Sequence, residues 1–245
     1  MFLEATGRLV VVYTVPLNEE RGLYLTASTD AGLTWSEPIR VLDAVAAGWS
    51  AVSDAALTRA ADGRLHLLVV RGSLPPATLP LGVYYTQSTD GGQTWSALQQ
   101  VAAEGAGYPR LAAANGDLHR FWVQTSQANE PVWHQWSRDA GATWSAPSQV
   151  PALRAVSFNL GAVADAAGTL YLTGIESTRQ ESAALFYLRW ADGQWLERET
   201  IALGQTAAPT SGASALLLPS GNLGVLYRAN TLVANGNPWS LIGYT

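Results

Sequence analysis

Short apolar, β-branched and aromatic stretches recur along the chain, and each follows a tight-turn signal. Residues 8–13 follow Thr6-Gly7, 64–70 follow Asp62-Gly63, and 118–123 follow Asn115-Gly116. Likewise 169–173 follow Ala167-Gly168, and 223–227 follow Gly221-Asn222. A turn of this kind flanked by strand-forming residues is a β-hairpin signal. The fullest unit spans residues 54–96. It reads as strand 54–58, turn 61–63, strand 64–70, a long loop, strand 82–86 and then a second turn.

That second turn is itself repeated. Ser28-Thr29-Asp30-Ala31-Gly32-Leu33-Thr34-Trp35-Ser36 returns as Ser88-Thr89-Asp90-Gly91-Gly92-Gln93-Thr94-Trp95-Ser96. It returns again as Ser137-Arg138-Asp139-Ala140-Gly141-Ala142-Thr143-Trp144-Ser145, and a shortened copy reads Trp190-Ala191-Asp192-Gly193-Gln194-Trp195. The tryptophans at 35, 95, 144 and 195 are 60, 49 and 51 residues apart, close to the roughly 40–50 residues of a four-stranded propeller blade. The expectation is an all-β chain, a single domain over 1–245. It is a β-propeller of four-stranded antiparallel blades, with about five blades visible and the first and last incomplete. Within each turn a short Asp accepts local hydrogen bonds, Gly supplies a positive φ and Trp packs its face between blades. Asp30, Trp35, Asp90, Trp95, Asp139, Trp144, Asp192 and Trp195 are therefore read as structural.

Composition narrows the classes of function. Hydrophobic residues make up 48% and charged residues 13%, enough apolar content for a core and too little charge for a disordered chain. All 14 basic residues are Arg, against 19 acidic ones, for a net charge of −5. No basic nucleic-acid footprint is present. Cysteine is absent, so disulfides and thiolate metal sites are excluded. His66, His119 and His134 fall in strand-like text of different repeats, which suggests neither a metal site nor a Ser-His-Asp triad. No cofactor is expected. No apolar run approaches the roughly 20 residues of a membrane helix, and Met1-Phe2-Leu3-Glu4 lacks the pattern of a signal peptide.

The pattern Ser-x-Asp-x-Gly-x-Thr-Trp resembles the Asp box, or BNR repeat, of bacterial sialidases and neuraminidases. The unit at 213–227 resembles the final blade of those enzymes, which typically lacks a box. The resemblance implies a propeller whose mouth handles carbohydrate, usually terminal sialic acid, and favours an extracellular setting. It implies an exo-sialidase type of glycoside hydrolase with three arginines on the substrate carboxylate, an Asp acid/base and a Glu-activated Tyr nucleophile. Guanidinium forks match a carboxylate bidentately, and such a phenol attacks an oxocarbenium-like centre. Other Asp-box propellers bind without catalysis. This chain departs from the enzymes in two places. The Arg-Ile-Pro motif of the first blade has no counterpart, and Thr210-Ser211-Gly212 stand where the nucleophilic Tyr is expected.

Strand order puts the loops that enter each inner strand, and those joining second to third strands, on one rim, with the boxes on the other. The rim loops so read include 16–21, 44–54, 72–80, 104–110, 126–131, 154–159, 176–181 and 229–238. Candidate catalytic groups there are Asp54, as acid/base, and Glu104. Candidate substrate ligands are Arg110 with Tyr108, Arg21, Arg179 between Glu176 and Glu181, and Trp49 as a sugar-stacking indole, with Arg120 and Arg228 as alternatives to Arg110. Asn18, Glu19, Glu20, Glu130, Arg154 and Asn159 share the rim, as do Trp133 and Trp239. Each has a bland alternative: an ion pair, a turn-bonded carboxylate, or packing beneath a loop. Two functions follow, a sialidase-type enzyme or a non-catalytic glycan- or protein-binding propeller. The expected partner is a carbohydrate or glycoconjugate. Aligned on the turns, residues 1–4 are the end of an inner strand and 241–245 a third strand. Edges left by incomplete blades invite pairing, so ring closure by the two ends or self-association is expected.

Overall fold

The computed structural model describes the chain except residues 5, 78, 128, 152, 154–155, 177–183, 202–206, 219, 233–237 and 245. Residues 156–159, 176, 184, 207–213, 227–232 and 238–244 are described as backbone. Among the described residues twenty strands form five antiparallel sheets in chain order. The first holds β1 (Phe2–Leu3), β2 (Leu9–Val15), β3 (Gly22–Ser28) and β4 (Ile39–Asp43). The second holds β5 (Ala51–Arg59), β6 (Leu65–Gly72), β7 (Gly82–Ser88) and β8 (Gln99–Ala102). The third holds β9 (Ala106–Ala114), β10 (Asp117–Gln124), β11 (Val132–Ser137) and β12 (Ser148–Gln149). The fourth holds β13 (Val156–Ala164), β14 (Leu170–Glu176) and β15 (Ala184–Ala191), with β16 (Gln194–Trp195) and β17 (Glu199–Ile201) both on the outer edge of β15. The fifth holds β18 (Ala207–Leu217), β19 (Leu223–Leu232) and β20 (Pro238–Tyr244).

This is the all-β propeller fold that the repeat predicts. The inner strands stand side by side, β5 against β9, β9 against β13 and β13 against β18. At the box end they enclose a cavity of about 530 Å³ lined from β1, β5, β9 and β13. Each pair of neighbouring sheets shares its own hydrophobic cluster. The sheets are joined by packing, because every backbone ladder stays within its own sheet. A four-stranded antiparallel ladder places its first and third turns at one end, so the hairpins and boxes share a face opposite the strand-entry loops.

The three intact boxes are near copies of one hydrogen-bond pattern. Asp30 accepts from Ser28 Oγ at 2.7 Å, from the Thr34 amide at 2.9 Å and from Thr34 Oγ1 at 2.6 Å. Asp90 and Asp139 repeat the set with Ser88 and Thr94, and with Ser137 and Thr143. The two residues after each Asp have positive φ, including Ala31 at 59° and Ala140 at 53°. The fourth copy is a correction. Asp192 and Gly193 form a two-residue hairpin with φ of 53° and 78°, and Ala191 pairs with Gln194 and Trp190 with Trp195. Two residues shorter, with Trp190 at the serine position, it cannot form the box bonds. Trp195 nonetheless packs between sheets, against Phe121 and His134.

Three rim stretches read as loops, 44–54, 104–110 and 154–159, run into strand beginnings instead, and the fifth sheet's first strand starts in the same way. β5 starts at Ala51, β9 at Ala106, β13 at Val156 and β18 at Ala207. Each ladder slips near its start: between Val52 and Ala55, around Tyr108-Pro109, between Ser157 and Gly161, and between Pro209 and Ala213. A bulge breaks the two-residue alternation by which a strand is recognised, so these segments read as irregular.

Candidate functional site

The bulges put polar side chains at the strand-entry end of the inner strands, here called the mouth. Asp54 is exposed in the β5 bulge. On the neighbouring strand Tyr108 and Pro109 occupy the β9 bulge, and Arg110 follows where pairing with Phe121 resumes. Tyr108 has φ of 52°, a left-handed conformation that is a genuine outlier for a bulky residue and that clusters at functional sites. Burial raises the Tyr108 phenol above its usual range, and the Asp54 and Glu130 carboxylates push it in the same direction. Burial lowers the Arg110 guanidinium, and Asp54 opposes the shift. Asp54 thus lies within electrostatic reach of Tyr108 and Arg110, and Glu130 within reach of Tyr108.

Arg110 is anchored from below. Its Nε donates to the Leu160 carbonyl of the fourth sheet, and a terminal nitrogen donates to the Pro109 carbonyl at 2.7 Å. The guanidinium therefore ties two inner strands together beneath the mouth. Glu130 is half-buried on the loop between β10 and β11, where it and Asn129 have φ of 42° and 67°. It was visible in the sequence only as one of many rim polar residues, because the two successive positive φ values that aim it carry no glycine to mark them.

Other candidates fall elsewhere. Glu104 is exposed, and its carbonyl accepts from Gln124 Nε2 at 2.9 Å. No described contact brings it to Asp54. Arg21 donates Nε to the Trp49 carbonyl at 2.6 Å and a terminal nitrogen to the Asn18 carbonyl at 2.7 Å, so it braces the loop into β5. Trp49 is 5% exposed and packs on Tyr84 at 4.7 Å, beneath that loop. It offers no free face to a sugar. Arg120 is buried between the second and third sheets. Its Nε and a terminal nitrogen donate to Gln135 Oε1 at 3.0 and 2.8 Å, and its guanidinium lies 3.9 Å over Trp144. Trp133 is half-buried in the cluster of the same two sheets. Arg154, Arg179 and Glu181 lie outside the described residues, as do the side chains of Asn159, Glu176, Arg228 and Trp239. Among the described residues no three His, Asp or Glu side chains are grouped to hold a metal ion.

Comparison with known proteins follows the same lines. Residues 88–97 match the BNR/Asp-box repeat family. A search of curated protein sequences finds no match. Among solved structures, the Penicillium chrysogenum α-L-arabinanase superposes with a TM-score of 0.69 at 18% identity, over 97% of this chain and 78% of that one. The Streptococcus pneumoniae NanB sialidase superposes with a TM-score of 0.65 at 12% identity, over 97% of this chain and 59% of that one. The Ruminococcus gnavus intramolecular trans-sialidase gives 0.64 at 15% identity, over 91% and 49%. At these identities the likeness is one of fold.

Proposed function

We propose that this Asp-box β-propeller is a glycoside hydrolase whose site is the mouth formed by Asp54, Tyr108, Arg110 and Glu130. The observation that carries the reading is Tyr108, held at positive φ in an inner-strand bulge two residues before an anchored arginine and within electrostatic reach of the Asp54 and Glu130 carboxylates. Strain of this kind is stable only where the surroundings over-determine it. Glycoside hydrolysis asks for two carboxyl groups flanking the scissile bond. Asp54 is the acid/base, exposed where a leaving oxygen can reach it, and Glu130 supplies the second carboxylate in place of Glu104. The likeness to arabinanase and sialidase structures supports a sugar as substrate.

Between the two sugar classes, the described rim favours a neutral glycoside of arabinoside type. Arg21 and Arg110 spend N–H groups on backbone carbonyls, while Asp54 and Glu130 add negative charge where a sialic acid carboxylate would sit. Turnover of sialosides is the second reading, carried by the Asp-box match at 88–97.

The test is a panel of fluorogenic glycosides including an α-L-arabinofuranoside and an α-sialoside. Asp54→Asn is expected to lower kcat/KM about 100-fold or more, the range for loss of a general acid/base, with an unchanged circular dichroism spectrum. Turnover of the sialoside alone would decide for the second reading. A wild-type protein that cleaves no glycoside yet binds a glycan array, with binding lost in Asp54→Asn, would make the mouth a lectin-like site. Activity indifferent to both Asp54→Asn and Tyr108→Ala would overturn the assignment.

A further inference from the structure

The shortened fourth turn leaves a crevice where an intact box would close. In the ladder registers Leu65 and Leu118 each lie opposite the serine that opens a box, so His66 and Tyr85 of the second sheet correspond to His119 and His134 of the third. The third box closes over the first of these pairs. A Cβ on Gly141 would lie 2.6 Å from the Tyr85 hydroxyl and 3.1 Å from His66 Cε1. Over the second pair the fourth sheet brings only the two-residue hairpin of Asp192 and Gly193. A Cβ on Gly193 would meet nothing within 4 Å but an Arg138 nitrogen, at 3.7 Å. Trp190 covers His134 edge-on at 4.8 Å. Beside it an open space of about 310 Å³ remains between the third and fourth sheets, lined in part by Asn115, Asp117, His119, Arg138, Trp190 and Asp192. Small-molecule sites begin at roughly this size. One edge is fixed where two hairpins touch, since a Cβ on Gly168 would lie 2.5 Å from the Asn115 Cβ.

Three polar groups reach this space with unused hydrogen-bonding capacity. His119 is 1% exposed. Its Nδ1 pairs with His134 Nε2 at 3.0 Å, while Nε2, on the other side of the ring, has no described partner. His66 Nε2 and His134 Nδ1 are sealed from solvent, but His119 Nε2 opens on the crevice. An orphaned buried N–H is rarer than an under-used acceptor, so His134 donates to His119, and His119 carries its own proton on Nε2. Asp117 is half-buried, and its carboxylate accepts no described hydrogen bond; its ion pair with Arg138 Nε is 3.7 Å long. Burial raises this carboxyl above its ordinary value. Arg138 is braced over the Trp136 ring at 4.6 Å, and its N–H groups make no described hydrogen bond.

We propose that this crevice is a second carbohydrate site, holding a neutral sugar ring through its hydroxyl groups. A carboxylate accepts only, whereas a guanidinium and an imidazole N–H donate only. A hydroxyl does both. One hydroxyl accepts from His119 Nε2 and donates to Asp117, and its neighbour on the ring accepts from Arg138. Asp117 and Asp192 disfavour an anion, and Arg138 disfavours a cation. Among the described residues no metal-ligand group is present either. The site lies at the box end, away from the mouth, and holds whether or not the mouth hydrolyses a glycoside. A ring of about a dozen non-hydrogen atoms at ordinary ligand efficiency binds with roughly millimolar affinity.

Amide and histidine-ring ¹H–¹⁵N spectra, recorded while L-arabinose, D-galactose or D-glucose is raised to about 100 mM to span such affinities, test this. At least one sugar is expected to give saturable shifts at the Asp117, His119 and Gly193 amides and at His119 Nε2. Arg138→Ala and Asp117→Ala should each weaken that binding roughly tenfold, the worth of a hydrogen bond to a charged group. Arg138 is exposed, so its replacement leaves the fold intact. Asp54→Asn should leave the same shifts in place, which separates this site from the mouth. Absence of a saturable shift with all three sugars, shifts confined to residues 106–110, or binding undiminished by Arg138→Ala and Asp117→Ala would overturn the proposal.

Discussion

Asp30 and Asp139, at the tips of their boxes, receive hydrogen bonds that hold their carboxyls down to about 2, first from the Thr34 or Thr143 hydroxyl and then from the same residue's amide. His66, His119 and His134 are held down for a different reason. Burial between sheets disfavours their charged forms and lowers His66 and His119 to about 4 and His134 to about 2. His119 and His134 lie not in different repeats but on the paired strands β10 and β11 of one sheet, with His119 Nδ1 and His134 Nε2 3.0 Å apart, so one donates and the other accepts while both are neutral. The signs then differ. A depressed carboxylate stabilises the fold above its unfolded value near 3.9 and loses that contribution as pH falls through about 2. A depressed histidine leaves the unfolded chain binding more protons below about 6.5, so stability falls as pH drops from there towards 4. Urea midpoints are therefore expected to decline steadily from pH 6.5 to 4, and the His119→Phe, His134→Phe double variant should flatten the decline. A midpoint independent of pH over that interval would count against buried neutral histidines. The charge states of these residues were not legible in the sequence, where nothing marks which strand positions face a neighbouring sheet.

At the scale of the element, the box is a turn that also serves as a wedge. Gly141 has φ of 83°, and an added Cβ would meet the Tyr85 hydroxyl at 2.6 Å and His66 Cε1 at 3.1 Å. Neither neighbour is free to yield, because His66 Nδ1 and the Tyr85 hydroxyl are hydrogen-bonded at 2.6 Å. Gly116 in the β9–β10 hairpin has the same φ of 83° and nothing within 4 Å of the added atom. Gly116→Ala should cost only the left-handed strain, about 1–2 kcal/mol. Gly141→Ala should cost a further 1–3 kcal/mol or so for overpacking. Equal losses in chemical denaturation would show that the box does not press on the preceding sheet. The three boxes and the hairpins were legible because turn chemistry is local. The hairpin at Asp192-Gly193 resembles a box in sequence because it keeps Asp, Gly and Trp, but it is two residues shorter and lacks the threonine whose amide and hydroxyl bond the Asp of a box.

On the scale of the whole molecule, the two ends of the sheets are assigned different work. The strand-entry end carries Asp54, Tyr108, Arg110 and Glu130, and the opposite end carries the boxes. Trp35→Ala is therefore expected to leave kcat/KM within about twofold of wild type, since surface changes distant from a site act additively. A loss of tenfold or more on a glycoside that the wild type cleaves would mean that the box end and the strand-entry end are coupled.

The sequence by itself determined the strands, the turns and their repeat, because alternation, glycine placement and Asp-to-Thr bonding within a box act over a few residues. It also determined which face carries the boxes, since antiparallel order leaves no choice. Tertiary structure alone decided which rim residues converge. Asp54 and Tyr108 are 54 positions apart, and they meet because β5 and β9 are neighbours and both bulge at the same height. It also decided that Trp49 and Arg120 belong to the packing. Those outcomes depend on which sheet lies against which, and no window of local sequence encodes that.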